Sequence, residues 1–154
     1  MMIFSGGCQC GNIRYSIGSE PSTAYCCHCT DCQQQSSSAF GMSVWFPANK
    51  FELRSGKLST WKTQADSGNE KLCNFCPKCG TRIFHGSFDQ SQTLSVKGGS
   101  LDSIRDIAPV AHIWTSSAQP WIRRRLNNEH CYETEPQNFE VLVDLYQRAQ
   151  ELRN

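Results

Sequence analysis

The chain has 154 residues, 38% of them hydrophobic and 19% charged, and a formal net charge of +1. That length suits one domain spanning 1–154 with its own core, and the composition excludes a disordered tail or a membrane span, since no apolar run approaches the roughly 18 residues that cross a bilayer. A charge so near zero provides no field to recruit nucleic acid or an anionic membrane, and the one basic run, Arg123-Arg124-Arg125, lacks the aromatic pattern on which bases stack.

The opening Met1-Met2-Ile3-Phe4-Ser5-Gly6-Gly7 has neither a basic n-region nor a long apolar stretch, so a reducing, cytoplasmic setting is expected. After the first cysteine pair, Ile13, Tyr15 and Ile17 alternate with polar residues, the period of a half-buried strand. Residues 21–38 are polar and cysteine-studded, and read as a ligand loop or short helical turn rather than a core element. Strands are expected at 39–46, closed by Pro47, and at 51–54, closed by Ser55-Gly56. Further short strands fall at 58–62, 71–75, 81–84, 93–97 and 110–114, each bounded by turn-forming residues. Near the end, Phe139, Leu142, Leu145, Tyr146, Ala149 and Leu152 recur at helical spacing, with Pro136 near the first turn and Asp144 four residues before Arg148. The class is mainly β with a C-terminal helix.

Ten cysteines exceed what packing requires. Gathered one or two residues apart in a chain without a secretory signal, they point to metal rather than disulfides. In Cys76-Pro77-Lys78-Cys79-Gly80 two thiolates can grip one tetrahedral ion from a tight turn, while Gly80 lets the backbone curl its amides toward the sulfurs. A redox Cys-x-x-Cys would run into a helix beside a parallel strand, whereas residues 81–84 alternate like a strand. A knuckle of this kind supplies two ligands, and Cys8-Gln9-Cys10-Gly11 is the natural donor of the other two. Four thiolates close the shell of a structural ion, a zinc site in small domains.

Cys26-Cys27-His28-Cys29-Thr30-Asp31-Cys32 holds four cysteines in seven residues, too many for one ion from so short a loop. Cys29 and Cys32 are expected to bind with either Cys26 or Cys27, which spacing does not separate. His28, between two ligands, is expected to turn outward. Three thiolates leave a vacant fourth position and a complex of net charge about −1, a weak Lewis acid that prefers binding a thiol to splitting water. A thiol bound there loses its proton and becomes a nucleophile at neutral pH. Cys73, Cys131 and the unused member of the 26–27 pair read as packing residues, and His112, Trp114 and Trp121 as candidates to line a pocket. Were both ions fully ligated by the protein, the chain would be a non-catalytic interaction module.

Taken together, these residues resemble the glutathione-dependent formaldehyde-activating enzyme family, which includes centromere protein V-like members. The likeness rests on Gly7-Cys8-Gln9-Cys10-Gly11, Cys27-His28-Cys29-Thr30-Asp31-Cys32 and Phe75-Cys76-Pro77-Lys78-Cys79-Gly80-Thr81. It continues through Gly99-Ser100-Leu101-Asp102, His112-Ile113-Trp114-Thr115 and Pro120-Trp121. The resemblance implies a folded tent of antiparallel sheets and two zinc ions, one structural on Cys8, Cys10, Cys76 and Cys79, the other catalytic on Cys27, Cys29 and Cys32. It implies a carbon–sulfur lyase-type activity, the addition of glutathione to formaldehyde to give S-hydroxymethylglutathione, with a small thiol and a small aldehyde as partners. Gln33 stands where that family often carries a basic residue.

Overall fold

The computed structural model describes residues 3–65, 68–89, 91–126 and 130–153. In chain order the elements are β1 Phe4–Gly7, β2 Arg14–Ile17, β3 Thr23–Cys27, α1 Thr30–Ser36, β4 Gly41–Pro47, β5 Phe51–Ser55 and β6 Ser59–Gln64. There follow β7 Glu70–Phe75, β8 Arg82–His85, β9 Thr93–Lys97, β10 Ala111–Ile113, α2 Pro120–Arg123 and α3 Glu140–Glu151. The chain divides into two units, Met1–Pro21 with Trp45–Asp106, and Ser22–Val44 with Ile107–Asn154; β4 carries the chain across the boundary. No described helix is long and apolar enough to cross a membrane.

In the first unit, β2 lies between β1 and β5 in an antiparallel sheet, with Gly6 opposite Tyr15 and Tyr15 opposite Leu53. The alternation seen in the sequence sets its faces: Ile13, Tyr15 and Ile17 are all fully buried. Tyr15 stacks on Phe51 at 4.7 Å between ring centroids, and Phe51 meets Phe84 edge-on at 5.1 Å. The strands β6, β7, β8 and β9 form an antiparallel meander in sequence order. One face carries Asn74, Phe84 and Val96 in register and is buried.

The segment Gly99-Ser100-Leu101-Asp102 is tied to β1 and β2. Tyr15 Oη and Ser100 Oγ share a hydrogen bond of 2.7 Å, Arg14 pairs with Asp102, and Asp102 N–H donates to Ser5 O at 2.9 Å. Gly6 sits where these groups converge. A Cβ there would lie 2.2 Å from Tyr15 Oη and 2.4 Å from the Ser100 carbonyl oxygen. Backbone cannot yield as a side-chain end can, so Gly6→Ala is expected to destabilise the protein by about 3 kcal/mol or more, read as the shift in a urea unfolding midpoint.

The second unit is built on β3, whose five residues are all buried. It lies between β10 and β4, with Ala111, His112 and Ile113 in parallel register against Tyr25, Cys26 and Cys27. The many residues separating β3 from β10 permit that parallel pair. Helix α3 presents Leu142 and Tyr146 as its buried positions. Phe139, at its N-cap, packs against Tyr25 with ring centroids 5.9 Å apart, and Thr23 Oγ1 donates to Leu142 O at 2.7 Å.

Three details differ from the sequence reading. The first is β1, which it leaves out. The second is β3, placed within a loop; a strand buried on both faces shows no alternation. The third is α1, which takes the full span Thr30–Ser36 rather than a single turn.

Candidate metal centres

All seven cysteines expected to bind metal fall into two groups. Within each, the donor atoms lie within 4.8 Å of one another: Cys8, Cys10, Cys76 and Cys79 in the first unit, Cys27, Cys29 and Cys32 in the second. Cys26, Cys73 and Cys131 belong to neither.

The four-sulfur group is made by two similar turns. In one, Gly11 N–H donates to Cys8 O at 3.0 Å, Cys8 N–H to Ile13 O at 3.1 Å, and Ile13 N–H to Cys8 Sγ at 3.1 Å. In the other, Gly80 N–H donates to Cys76 O at 2.9 Å and Cys76 N–H to Thr81 O at 3.0 Å. Gly11 and Gly80 stand at φ of 76° and 74°, a backbone region open to glycine. Thr81 joins the two arms: its hydroxyl lies 3.2 Å from Cys79 Sγ and accepts the Gln9 N–H at 3.2 Å.

Cys8 Sγ is 3.5 Å from Cys10 Sγ, which is 3.8 Å from Cys76 Sγ. Sulfurs about 2.3 Å from a tetrahedral ion stand about 3.8 Å apart, so the cage has the size such an ion requires. Bonds from Thr81 hold the Cys79 thiol down at about 5. The Cys10 thiol, lowered by the Asn12 amide but raised more by the neighbouring sulfurs and by burial, stands at about 11. Crowded thiols that resist joint ionisation are suited to a cation that takes up their charge. Nothing lies within 4 Å of a Cβ built on Gly80. Gly80→Ala therefore isolates the backbone effect, and is expected to cost about 1–2 kcal/mol and to loosen metal retention in a chelator competition.

The three-sulfur group uses the end of a strand and the start of a helix. Cys27 closes β3, and Cys29 is the N-cap of α1, its Sγ accepting the Cys32 N–H at 3.4 Å. Bonds shared with Cys29 and Cys32, then burial, push the Cys27 thiol far above its ordinary value. A Cβ on Gly41 would come 3.3 Å from Cys32 Cβ and 3.7 Å from its sulfur, so the glycine keeps that side of Cys32 clear. Strand alternation separates the two residues that spacing leaves equivalent: Cys26 and Cys27 project to opposite faces of β3, and the Cys27 sulfur is the one that lies with those of Cys29 and Cys32. Burial pushes the Cys26 thiol up to about 12, the state of a packing residue.

His28 does not turn outward, as expected, but is fully buried. Its N–H donates to Ile113 O at 3.0 Å, which extends the β3–β10 pairing by one residue and places the ring on the face of Cys26. There His28 Nε2 and His112 Nδ1 share a hydrogen bond of 2.9 Å, and the His28 ring packs on Phe40 with centroids 5.3 Å apart. Burial, then the neighbouring His112, pushes His28 down to about 4; burial also lowers His112. Trp114 is half-buried with φ of 57°, and Trp121 is 56% exposed on α2.

Sequence reasoning marks Gln33 only as standing where the resembling family often carries a basic residue, and misses what it does. Its Nε2 donates to His28 O at 2.7 Å and Ser117 O at 2.9 Å, while its Oε1 accepts from Gln119 Nε2 at 2.8 Å. The residue after the third ligand thus fastens the ligand segment to the 117–119 turn. Its only signal in the sequence is its place beside Cys32.

Among described residues, the second group has three metal-donor side chains and the first has four. The first can enclose an ion, and the second can hold one with a position to spare.

Comparison with known proteins places the chain. No curated protein matches it. A solved structure of a Rhodobacter sphaeroides protein, a structural-genomics target, is 17% identical and matches with a TM-score of 0.51 over 83% of this chain and 98% of its own, a likeness of fold. The family model described as glutathione-dependent formaldehyde-activating enzyme matches residues 3–117, a span that includes every cysteine of both groups. With paired cysteine turns, a three-cysteine loop and a mainly β fold all lying within or around that match, the chain belongs to the glutathione-dependent formaldehyde-activating enzyme family.

Proposed function

We propose that this protein is a zinc-dependent carbon–sulfur lyase-type enzyme that joins a small thiol, glutathione, to formaldehyde or a similar small carbonyl. The observation that carries this reading is the three-sulfur group of Cys27, Cys29 and Cys32, which has no fourth metal donor among the described residues. Zinc bound there supplies a vacant position that takes a thiol as thiolate at neutral pH.

The chain's part is to hold and orient. Cap geometry fixes Cys29, Gln33 ties down the segment that follows, and Gly41 leaves room beside Cys32. In the reaction the thiol sulfur forms a bond to the carbonyl carbon, the carbon–oxygen π bond breaks, and the thiol proton ends on the oxygen, giving S-hydroxymethylglutathione. The four-sulfur group has no spare position and takes a structural zinc. None of the ten cysteines is joined in a disulfide, in keeping with a reducing, cytoplasmic setting.

A purely structural role for the second ion would require a fourth ligand from the protein. Its nearest candidates lie apart from the group: neither ring nitrogen of His28 falls among the clustered donors, and Cys26 faces the other side of β3. Zinc-loaded protein is therefore expected to accelerate formation of the glutathione–formaldehyde adduct in exchange NMR. A rate equal to the spontaneous background with every thiol tried would remove the enzyme reading and leave the metal sites standing.

A further inference from the structure

The second face of the β6–β9 meander is a cationic surface that the cysteine chemistry does not use. Register places Trp61 opposite Cys73, Thr63 opposite Lys71, Cys73 opposite His85 and His85 opposite Ser95, so these side chains share one face. Lys97, two residues beyond Ser95, lies on it as well. A bulge between Asn74 and Phe75 brings Arg82 opposite Phe75 and onto this face. Its guanidinium carbon stands 5.0 Å from the Phe75 ring centroid and 6.0 Å from that of Trp61.

Two observations give this surface a purpose. Arg82 Nη1 is buried and has no hydrogen-bond partner. An unsatisfied cationic donor is costly, and it is resolved when an anion arrives with lone pairs to accept. The single carboxylate in these four strands, Glu70, is on the opposite face by register and pairs with Lys62 at 2.5 Å. No acidic residue of these four strands therefore shares the face of Arg82. Burial, and after it the charges of Lys97, Lys71 and Arg82, lowers His85, in keeping with the three cations lying near it.

We infer that Arg82, held between Trp61 and Phe75 with Lys71 and Lys97 on the same face, is the centre of an oxyanion site that takes the carboxylate or phosphate group of a small ligand. The planar guanidinium supplies a fork of donors matched to either group, and the aromatic walls hold it in place through cation–π contact. Trp61 is 49% exposed and Arg82 as a whole half-buried, so the site lies at the edge of the covered part of this face.

The test uses the zinc-loaded full chain at low ionic strength, titrated separately with inorganic phosphate and with succinate. The Trp61 indole and Arg82 side-chain NMR signals report binding. A saturable shift centred on those two signals is expected, with the tighter probe identifying which oxyanion chemistry the site prefers. Arg82→Gln should weaken binding at least tenfold, Arg82→Lys should retain part of it, and Lys62→Gln, on the opposite face, should leave it unchanged. Absence of a saturable shift with both probes, shifts spread over the whole protein, or equal affinity in Arg82→Gln would overturn the proposal. Should Arg82→Gln not fold, a Lys71→Gln/Lys97→Gln pair carries the test: a loss of several-fold supports the site, and unchanged affinity refutes it. Adduct formation is not the readout, so the outcome is separate from that of the proposed enzyme activity.

Discussion

Cys76→Ser is expected to abolish the cooperative unfolding transition of the protein, and a strong chelator acting on the unmodified chain should do the same. Cys76 is fully buried and belongs to a cage whose two arms, Cys8 with Cys10 and Cys76 with Cys79, come from the two separate chain segments of the first unit. A structural zinc site of this kind is worth on the order of 10 kcal/mol of folding free energy, against a total domain stability of about 5–15 kcal/mol. Removing one buried ligand therefore takes away a large share of the margin. Near-UV circular dichroism through a thermal ramp, with zinc counted by elemental analysis on the same samples, makes the measurement. A sharp, reversible melt in material shown to contain no zinc would mean that the cage is not what holds the first unit together.

The second large effect is local to chemistry. Cys29→Ser should lower the zinc content from two to one per chain and reduce acceleration of adduct formation by on the order of 10²-fold or to background, since even displaced supporting groups around a metal cost 10–100-fold. The unfolding midpoint should move far less than in Cys76→Ser, because the four-sulfur cage is untouched. Cys26→Ser supplies the contrast: it faces away from the group, so zinc content and rate should hold. Loss of activity in Cys26→Ser with retention in Cys29→Ser would reverse the ligand assignment.

The cysteine turns are legible in the sequence because each is a local device: two sulfurs, a fixed spacing and a glycine at positive φ need little from the rest of the chain. Strand β2 is legible for a similar reason, as Ile13, Tyr15 and Ile17 print their alternation directly. What is hidden depends on tertiary context. Thr23-Ala24-Tyr25-Cys26-Cys27 is buried on both faces, so its polarity pattern carries no period and it passes for part of a loop. His28 follows from the same omission: once β3 is a strand paired with β10, its inward position beside His112 is required by alternation, but without that strand it reads as an exposed spacer between ligands. Gln33 is hidden for another reason. An amide that makes three hydrogen bonds to distant backbone and side-chain groups has the same letter as one that makes none.

The contrast between the two cysteine groups also sets an order of events while the chain is being made. Cys27, Cys29 and Cys32 leave the ribosome almost together, so that group can compete for metal early. Cys8 and Cys10, although synthesised first, must wait until residue 79 emerges before their cage can close. A nascent chain halted before Cys76 would thus hold Cys8 and Cys10 without their cage partners while the trio is already complete.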